Sequence, residues 1–295
     1  MKEFFLAWST VSMTTKVVRS IAEMQKIAQK LHRKGKTIGF VPTMGYLHLG
    51  HLSLVRVAKR YSDVVVVSVF VNPIQFGPQE DFNVYPRDFK RDRMLLSKEG
   101  VSYIFYPQAR TMYPKGYKTY VEVKELSEKL CGRFRPGHFI GVTTVVAKLF
   151  NIVQPDIAVF GQKDAQQAVI IKKMVKDLNF PVKIVVAPTV REKDGLALSS
   201  RNVYLTPQER KKALILYQAL KTAQSLIKQG NRDPQKILHT MYELINSVPE
   251  AKVDYIEIVD LDNLEPVSEI KDKVLIALAV RIGKARLIDN LVVKL

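Results

Sequence analysis

Two imidazoles flank a glycine in His48-Leu49-Gly50-His51, just after the apolar run Ile38–Val41 and the turn Pro42-Thr43-Met44-Gly45-Tyr46-Leu47. The apolar run reads as a buried strand, and Leu52–Arg60 reads as the amphipathic helix that follows. Strand, glycine loop and helix start together make an anion site. Amide hydrogens without intrahelical partners point at whatever sits there, and so does the positive end of the helix dipole. Imidazoles at that point add hydrogen-bond donors. A lone histidine is more often a packed or surface residue, but two around a glycine at a strand-to-helix switch are harder to explain by packing. The placement suits nucleotidyl transfer, in which charge grows on an α-phosphate.

Three further segments carry chemistry-bearing residues in comparable positions. In Phe70-Val71-Asn72-Pro73-Ile74-Gln75-Phe76, Asn72 suits a turn before Pro73. Gln75 lies between apolar neighbours, where an amide needs partners that a bound hydroxyl or carboxylate would supply. The polar stretch Phe76–Arg87 reads as a surface loop or a mobile lid. In Phe160-Gly161-Gln162-Lys163-Asp164-Ala165-Gln166-Gln167 the strand–glycine–helix arrangement recurs. Lys163 can reach a phosphate as a point charge, Asp164 can cap the helix, and Gln167 faces the same way one turn on. In Val190–Asn202, Ser199-Ser200-Arg201 offers two hydroxyls and a guanidinium to a polyphosphate, or a capped loop before a second domain. The compact basic loop Cys131-Gly132-Arg133-Phe134-Arg135-Pro136-Gly137-His138 reads equally as an anion clamp or a turn.

The elements that must position these residues alternate. Ile38–Val41, Val64–Val71, Tyr103–Tyr106, Ala158–Phe160 and Lys183–Ala187 read as buried strands. Ser20–Arg33, Leu52–Arg60, Phe89–Lys98, Val142–Val153 and Ala165–Leu178 read as helices. The alternation predicts a parallel sheet covered on both faces, with ligands beyond the carboxyl ends of its strands. After Thr206-Pro207, with Glu209 three residues past the cap, a long helix should run to Lys228 and a second over Pro234–Asn246. Strand-like runs follow at Val253–Val259, Lys273–Val280 and Ala285–Val293, with Gly283 in a turn. The expected fold is α/β: a Rossmann-like domain over residues 16–188 and a smaller α+β lid domain over 189–295. Met1–Thr15 reads as a disordered extension rather than a secretory signal, with Met13 an alternative start of the folded part.

The chain has 295 residues and a formal net charge of +18. From Pro207 on, 14 basic residues meet 12 acidic ones, so +16 of the excess falls before it. No nucleic-acid motif accompanies that charge, so small anionic substrates are the expected partners, with no nucleic acid. No run approaches the ~20 apolar residues of a membrane span. Cys131 is the single cysteine, which excludes an intrachain disulfide and fits a reducing cytoplasm.

The motifs PTMGYLHLGH, FVNPIQF, RPGHFIGV, FGQKDAQQ and LSSRN, in this order, resemble the pantothenate synthetase (pantoate–β-alanine ligase) family of the nucleotidyltransferase superfamily with HIGH-type signatures. The resemblance runs from Val17 to Leu295. It implies condensation of pantoate with β-alanine at the expense of ATP, through a pantoyl adenylate and with Mg²⁺. It places ATP on Pro42, Met44, Gly45, Tyr46, Leu47, His48, Leu49, Gly50 and His51, on Gly161, Gln162, Lys163 and Asp164, at Val190, and on Leu198, Ser199, Ser200 and Arg201. It places pantoate on Gln75, Gln167 and Asn72, and β-alanine near Gln75. Catalytic roles fall to His51 as the family's acid, to His48, and to Lys163, Ser199, Ser200 and Arg201 against the triphosphate. Leu198 stands where methionine is usual. The family's Mg²⁺-side acidic position is poorly matched near Arg91-Asp92, so no protein metal ligand is assigned. A homodimer is implied by resemblance alone. Two other classes compete: a phosphopantetheine or nicotinamide mononucleotide adenylyltransferase, which needs a second phosphate site rather than two glutamines, and an RNA-binding relative, which needs a basic appended module.

Overall fold

The computed structural model describes residues 15–78 and 80–295. Valine-rich runs buried on both faces form the centre of a parallel sheet, as β-branched residues between two helical layers should. Its order is β1 (Lys16–Val18), β4 (Tyr103–Phe105), β3 (Val64–Val69), β2 (Ile38–Thr43), β5 (Ile157–Gly161), β6 (Lys183–Ala187). All neighbouring pairs are parallel. Side chains alternate between two cores. Phe40 and Val66 pack with Met24 and Ala28 of α1 (Ile21–Arg33) and with the apolar faces of α6 (His138–Val153) and α7 (Ala165–Asp177). Val41, Val65 and Val67 pack with Leu52, Val55 and Ala58 of α2 (Leu49–Tyr61) and Leu96 of α3 (Phe89–Lys98). Short helices α4 (Ala109–Met112) and α5 (Cys131–Phe134) interrupt the long connection between β4 and α6. Strand order reverses between β2 and β5, which opens a crevice at their carboxyl ends.

A capping box starts the C-terminal part. Thr206 Oγ1 accepts the Glu209 N–H at 3.3 Å, and Glu209 Oε2 accepts the Thr206 N–H at 2.8 Å. Helices α8 (Pro207–Lys212), α9 (Leu214–Lys228) and α10 (Pro234–Asn246) precede an antiparallel sheet of β7 (Ala251–Val259), β8 (Lys273–Ile282) and β9 (Ala285–Lys294). Ile256, Ile258, Ile276 and Leu278 face α9 and α10, while Tyr255, Leu275, Ala277 and Ala279 face the main body. The small sheet is therefore buried on both sides, and the expected α/β architecture holds.

The differences are local. β1 was not expected at all. The long helix divides at Ala213, where Leu216 donates to the Ala213 carbonyl three residues back. α6 begins at His138, four residues before the expected Val142, behind Gly137 in the left-handed region. Thr15, placed by sequence in the extension, is buried and donates from Oγ1 to the Val101 carbonyl at 2.8 Å. Met1–Thr14 lie outside the described residues.

Candidate active site

Helix α2 starts at Leu49, not Leu52, because His48 is its N-cap. The His48 Nδ1 accepts the Gly50 N–H at 3.2 Å, and His51 Nδ1 accepts the His48 N–H at 3.3 Å. Two orphan amides of the helix start are thus taken by imidazoles in the manner of a capping box. The exchange explains the glycine: a Cβ at position 50 would lie 2.9 Å from His48 Cε1 and Nδ1. It also fixes the tautomers. A ring nitrogen that accepts has no hydrogen, so in each neutral ring the hydrogen sits on Nε2. Both rings are neutral near pH 7. Burial, then the Lys163 charge, brings His48 down to about 4, and burial, then His48 and Lys163, holds His51 well below its ordinary value.

The turn ahead of these histidines is tied from behind. Asp92 is almost fully buried, and its carboxylate accepts the amides of Tyr46 at 2.8 Å and Leu47 at 2.7 Å. Leu47 is in the core. These two amides are therefore spent on Asp92 rather than offered to a phosphate. Asp92 is a brace for the loop, and its burial raises the carboxyl despite both bonds.

Across the crevice, the turn after β3 presents an amide pair. Asn72 Nδ2 donates to Gln75 Oε1 at 3.2 Å and to the Gly141 carbonyl at 2.9 Å, and Gln75 Nε2 reaches Met44 Sδ at 3.0 Å. Gly141 lets α6 press on this turn, since a Cβ there would lie 2.5 Å from the Ile74 carbonyl oxygen and 2.6 Å from Gln75 Cα. The basic loop left open by sequence takes hold of the same turn. His138 Nδ1 lies 2.8 Å from the Gln75 carbonyl, and Arg135 Nη1 lies 2.9 Å from His138 Nε2. Arg135 also forms a two-pronged pair with Glu80 at 2.7 and 2.6 Å, while Arg201 holds Asp81 at 3.0 and 2.8 Å. Two adjacent acids in the Phe76–Arg87 loop are thus clasped to arginines on either side of the crevice. Burial, then the neighbouring Arg135 charge, brings His138 down to about 3.

The far wall comes from β5, the Val190–Arg201 segment and β9. Lys163 Nζ lies 3.4 Å from Asp164 Oδ1. Asn290 of β9 donates to the carbonyls of Gln162 and Lys163, both at 2.9 Å, and accepts from Gln162 Nε2 at 3.0 Å. Arg191 pairs with Asp289 at 2.6 and 2.8 Å and stacks on Tyr217 at 4.2 Å.

A cavity of about 220 Å³ is lined by Pro42, Met44, His48, Gly50, His51, Asn72, Gln75, Gly161, Lys163, Asp164, Gln167, Val190, Leu198, Ser199, Ser200 and Arg201 among others. A second, of about 390 Å³, shares Arg135, His138, Lys163, Asp164, Gln167, Ser199 and Arg201 with it and extends to the C-terminal sheet. Gly45, Tyr46, Leu47, Leu49 and Gln162, expected around a nucleotide, line neither cavity. Gly45 and Tyr46 border a different hollow near Asp92, Leu49 is 60% exposed on the outside of α2, and the Gln162 side chain is turned to Asn290. Sequence reasoning missed Glu80, Asp81, Asn290 and Tyr113, whose hydroxyl donates to Asn72 Oδ1 at 2.7 Å. The RPGH segment was the available signal for Arg135 and His138.

The chain matches the family model described as Pantoate-beta-alanine ligase over residues 16–292. It belongs to that family. A Caldicellulosiruptor bescii relative named pantothenate synthetase is 60% identical over 278 residues, covering 94% of this chain and 99% of the relative. The crystal structure of pantothenate synthetase from Thermus thermophilus superposes with a TM-score of 0.90 at 49% identity, over 94% of this chain and 99% of that one. The Francisella tularensis pantoate–β-alanine ligase, solved with βγ-ATP and β-alanine, gives 0.79 at 38% identity over 94% and 97%.

Proposed function

We propose that this chain joins pantoate to β-alanine, converting ATP to AMP and pyrophosphate, by way of a pantoyl adenylate. The observation that carries the reading is the pair of neutral Nε2–H imidazoles at the helix start, in a cavity with two glutamine amides and the Lys163–Ser199–Ser200–Arg201 group. In the first step a pantoate carboxylate oxygen attacks the α-phosphorus. The bond from that phosphorus to the α,β-bridging oxygen breaks, and pyrophosphate leaves. The protein's work is positioning and charge stabilisation. His48 and His51 act as preorganised donors to the phosphate oxygens, with the α2 dipole behind them. Their lowered proton affinity favours this donor role over the acid role the resemblance gives His51. Lys163, Ser199, Ser200 and Arg201 offset the triphosphate charge, and Gln75 and Gln167 hold the pantoate hydroxyls and carboxylate. In the second step the β-alanine amine attacks the acyl carbon, AMP leaves, and one amine proton is lost. The clasped Phe76–Arg87 loop and the C-terminal sheet keep water from the acyl adenylate.

Mg²⁺ belongs to the proposal with ATP. Among the described residues no three His, Cys, Asp or Glu side chains cluster as a metal cage. The ion would enter on phosphate oxygens and retain several of its waters. Asp164, the acidic side chain lining both cavities, is the residue that would hold it, and the positive charge of the ion would further neutralise the phosphates. A cytoplasmic homodimer follows from the resemblance, and light scattering tests the dimer.

Labelled pyrophosphate exchange into ATP is the direct test. Exchange is expected with pantoate and Mg²⁺ and without β-alanine, and Lys163→Ala should suppress it as strongly as pantothenate formation. Exchange that appears only after β-alanine is added overturns the two-step sequence. Absence of pantothenate from the full mixture overturns the activity.

A further inference from the structure

We propose that Tyr113, which does not line the catalytic cavity, is a positioning residue: its hydroxyl fixes the Asn72–Gln75 amide pair so that Gln75 meets the acid substrate as a hydrogen-bond donor. The proposal rests on the pantoate reading above. The orientation of the pair follows from its fixed end. The Gly141 carbonyl can only accept, and it lies 2.9 Å from one terminal atom of Asn72, which must therefore be the nitrogen. The Asn72 oxygen then faces the Tyr113 hydroxyl at 2.7 Å, which donates to it. The second hydrogen of Asn72 Nδ2 goes to Gln75 Oε1 at 3.2 Å, so the nitrogen end of Gln75 is the one turned toward Met44 and the cavity. Met44 sulfur is a weak acceptor and leaves donor capacity for a ligand oxygen. Polarity therefore runs one way, from phenol to asparagine to glutamine to substrate.

Asn72 is 1% exposed, so no solvent replaces the phenol if it is removed. The dry acceptor left behind makes the amide swing out of register, and Gln75 loses its reference. Tyr113 is itself held rigidly. Its ring packs against Phe70 at 6.3 Å and Tyr117 at 5.1 Å, and the Lys148 ammonium lies 5.8 Å from its centroid. Burial pushes the phenol above its ordinary value, so it stays an O–H donor. Packing alone needs only the ring.

Tyr113→Phe separates the ring from the hydroxyl. The apparent pantoate constant should rise roughly 3- to 10-fold, the size of one buried hydrogen bond, while the ATP constant stays unchanged and the melting temperature falls by only a few degrees. In an Asn72→Ala background the same change should add nothing, because the route through Asn72 is already cut. An unchanged pantoate constant, an equal rise in the ATP constant, or additive effects in the double variant each overturn the relay. The unmodified enzyme, assayed alongside, separates the two failures. If it forms no pantothenate from ATP, pantoate and β-alanine, the substrate reading falls. If it forms pantothenate but Tyr113→Phe behaves identically, only the relay falls.

Discussion

At the scale of single residues, the site's main device is a pair of imidazoles used as backbone caps. Cap residues are ordinarily Ser, Thr, Asp or Asn, so a propensity reading starts α2 three residues late and treats the histidines as lying ahead of the helix. The chemistry was legible because two histidines around a glycine have few structural excuses. The tautomers were not, because they depend on which ring nitrogen faces which amide. His51→Ala should lower kcat by about 10²–10³, as for loss of one preorganised donor, with a smaller stability loss of about 1 kcal/mol from the missing cap. Near-normal turnover would remove His51 from the mechanism. For the free enzyme, His48 stays neutral down to about pH 4, so the pH profile of kcat/KM for ATP should show no acid limb at 6.5 from this ring. His138 gives a stability prediction. Its folded value is about 3, against an ordinary 6.5. Between those values the unfolded chain binds a proton that the native ring refuses, so stability falls as pH is lowered through the window. His138→Gln should flatten the melting-temperature profile over that range. An unchanged slope would show that His138 is not the group responsible.

Among the elements, those with strong periodicity or explicit caps were read well. The Thr206–Glu209 box and α10 behind Asp233 are at their expected places. β1 escaped because three residues at the sheet edge have no period to count, and its hydrogen-bonding partner β4 lies far along the chain. The two acids of the Phe76–Arg87 loop escaped because sequence cannot say which arginine an exposed-looking acid will meet. Gly141 marks where helix packing sets site geometry. Gly141→Ala should cost about 1–3 kcal/mol through overpacking and raise the pantoate constant, because the Gln75 turn must retreat. Thermal unfolding with pantoate kinetics measures both, and an unaltered melting temperature would mean the turn has slack. The Asp81–Arg201 pair makes a second test. On the proposed reading ATP must take Arg201 from Asp81, so Asp81→Asn should lower the ATP constant by a fewfold. A raised constant would instead make Asp81 part of the nucleotide site.

For the whole molecule, the two sheets meet where β9 reaches the Gly161–Asp164 loop. Asn290 is 4% exposed and makes three hydrogen bonds to Gln162 and Lys163, with the Arg191–Asp289 pair beside it. Asn290→Ala should weaken ATP binding roughly 10-fold and pantoate binding less, because one of its two amides, Gln75, stands on the other wall. Equal losses for both substrates would point to general unfolding. The division into a parallel sheet and a small antiparallel one was readable from the change of pattern after Thr206, whereas this seam was not, because a buried Asn in the middle of an apolar strand gives no sign of what it reaches. Linkage adds a consequence for the life of the protein. A ligand that settles the 161–164 loop into the shape Asn290 holds must, by reciprocity, tighten the grip of that loop on β9. ATP then doubles as a fastener, and the rate at which a protease nicks the C-terminal sheet becomes a gauge of how much nucleotide surrounds the chain.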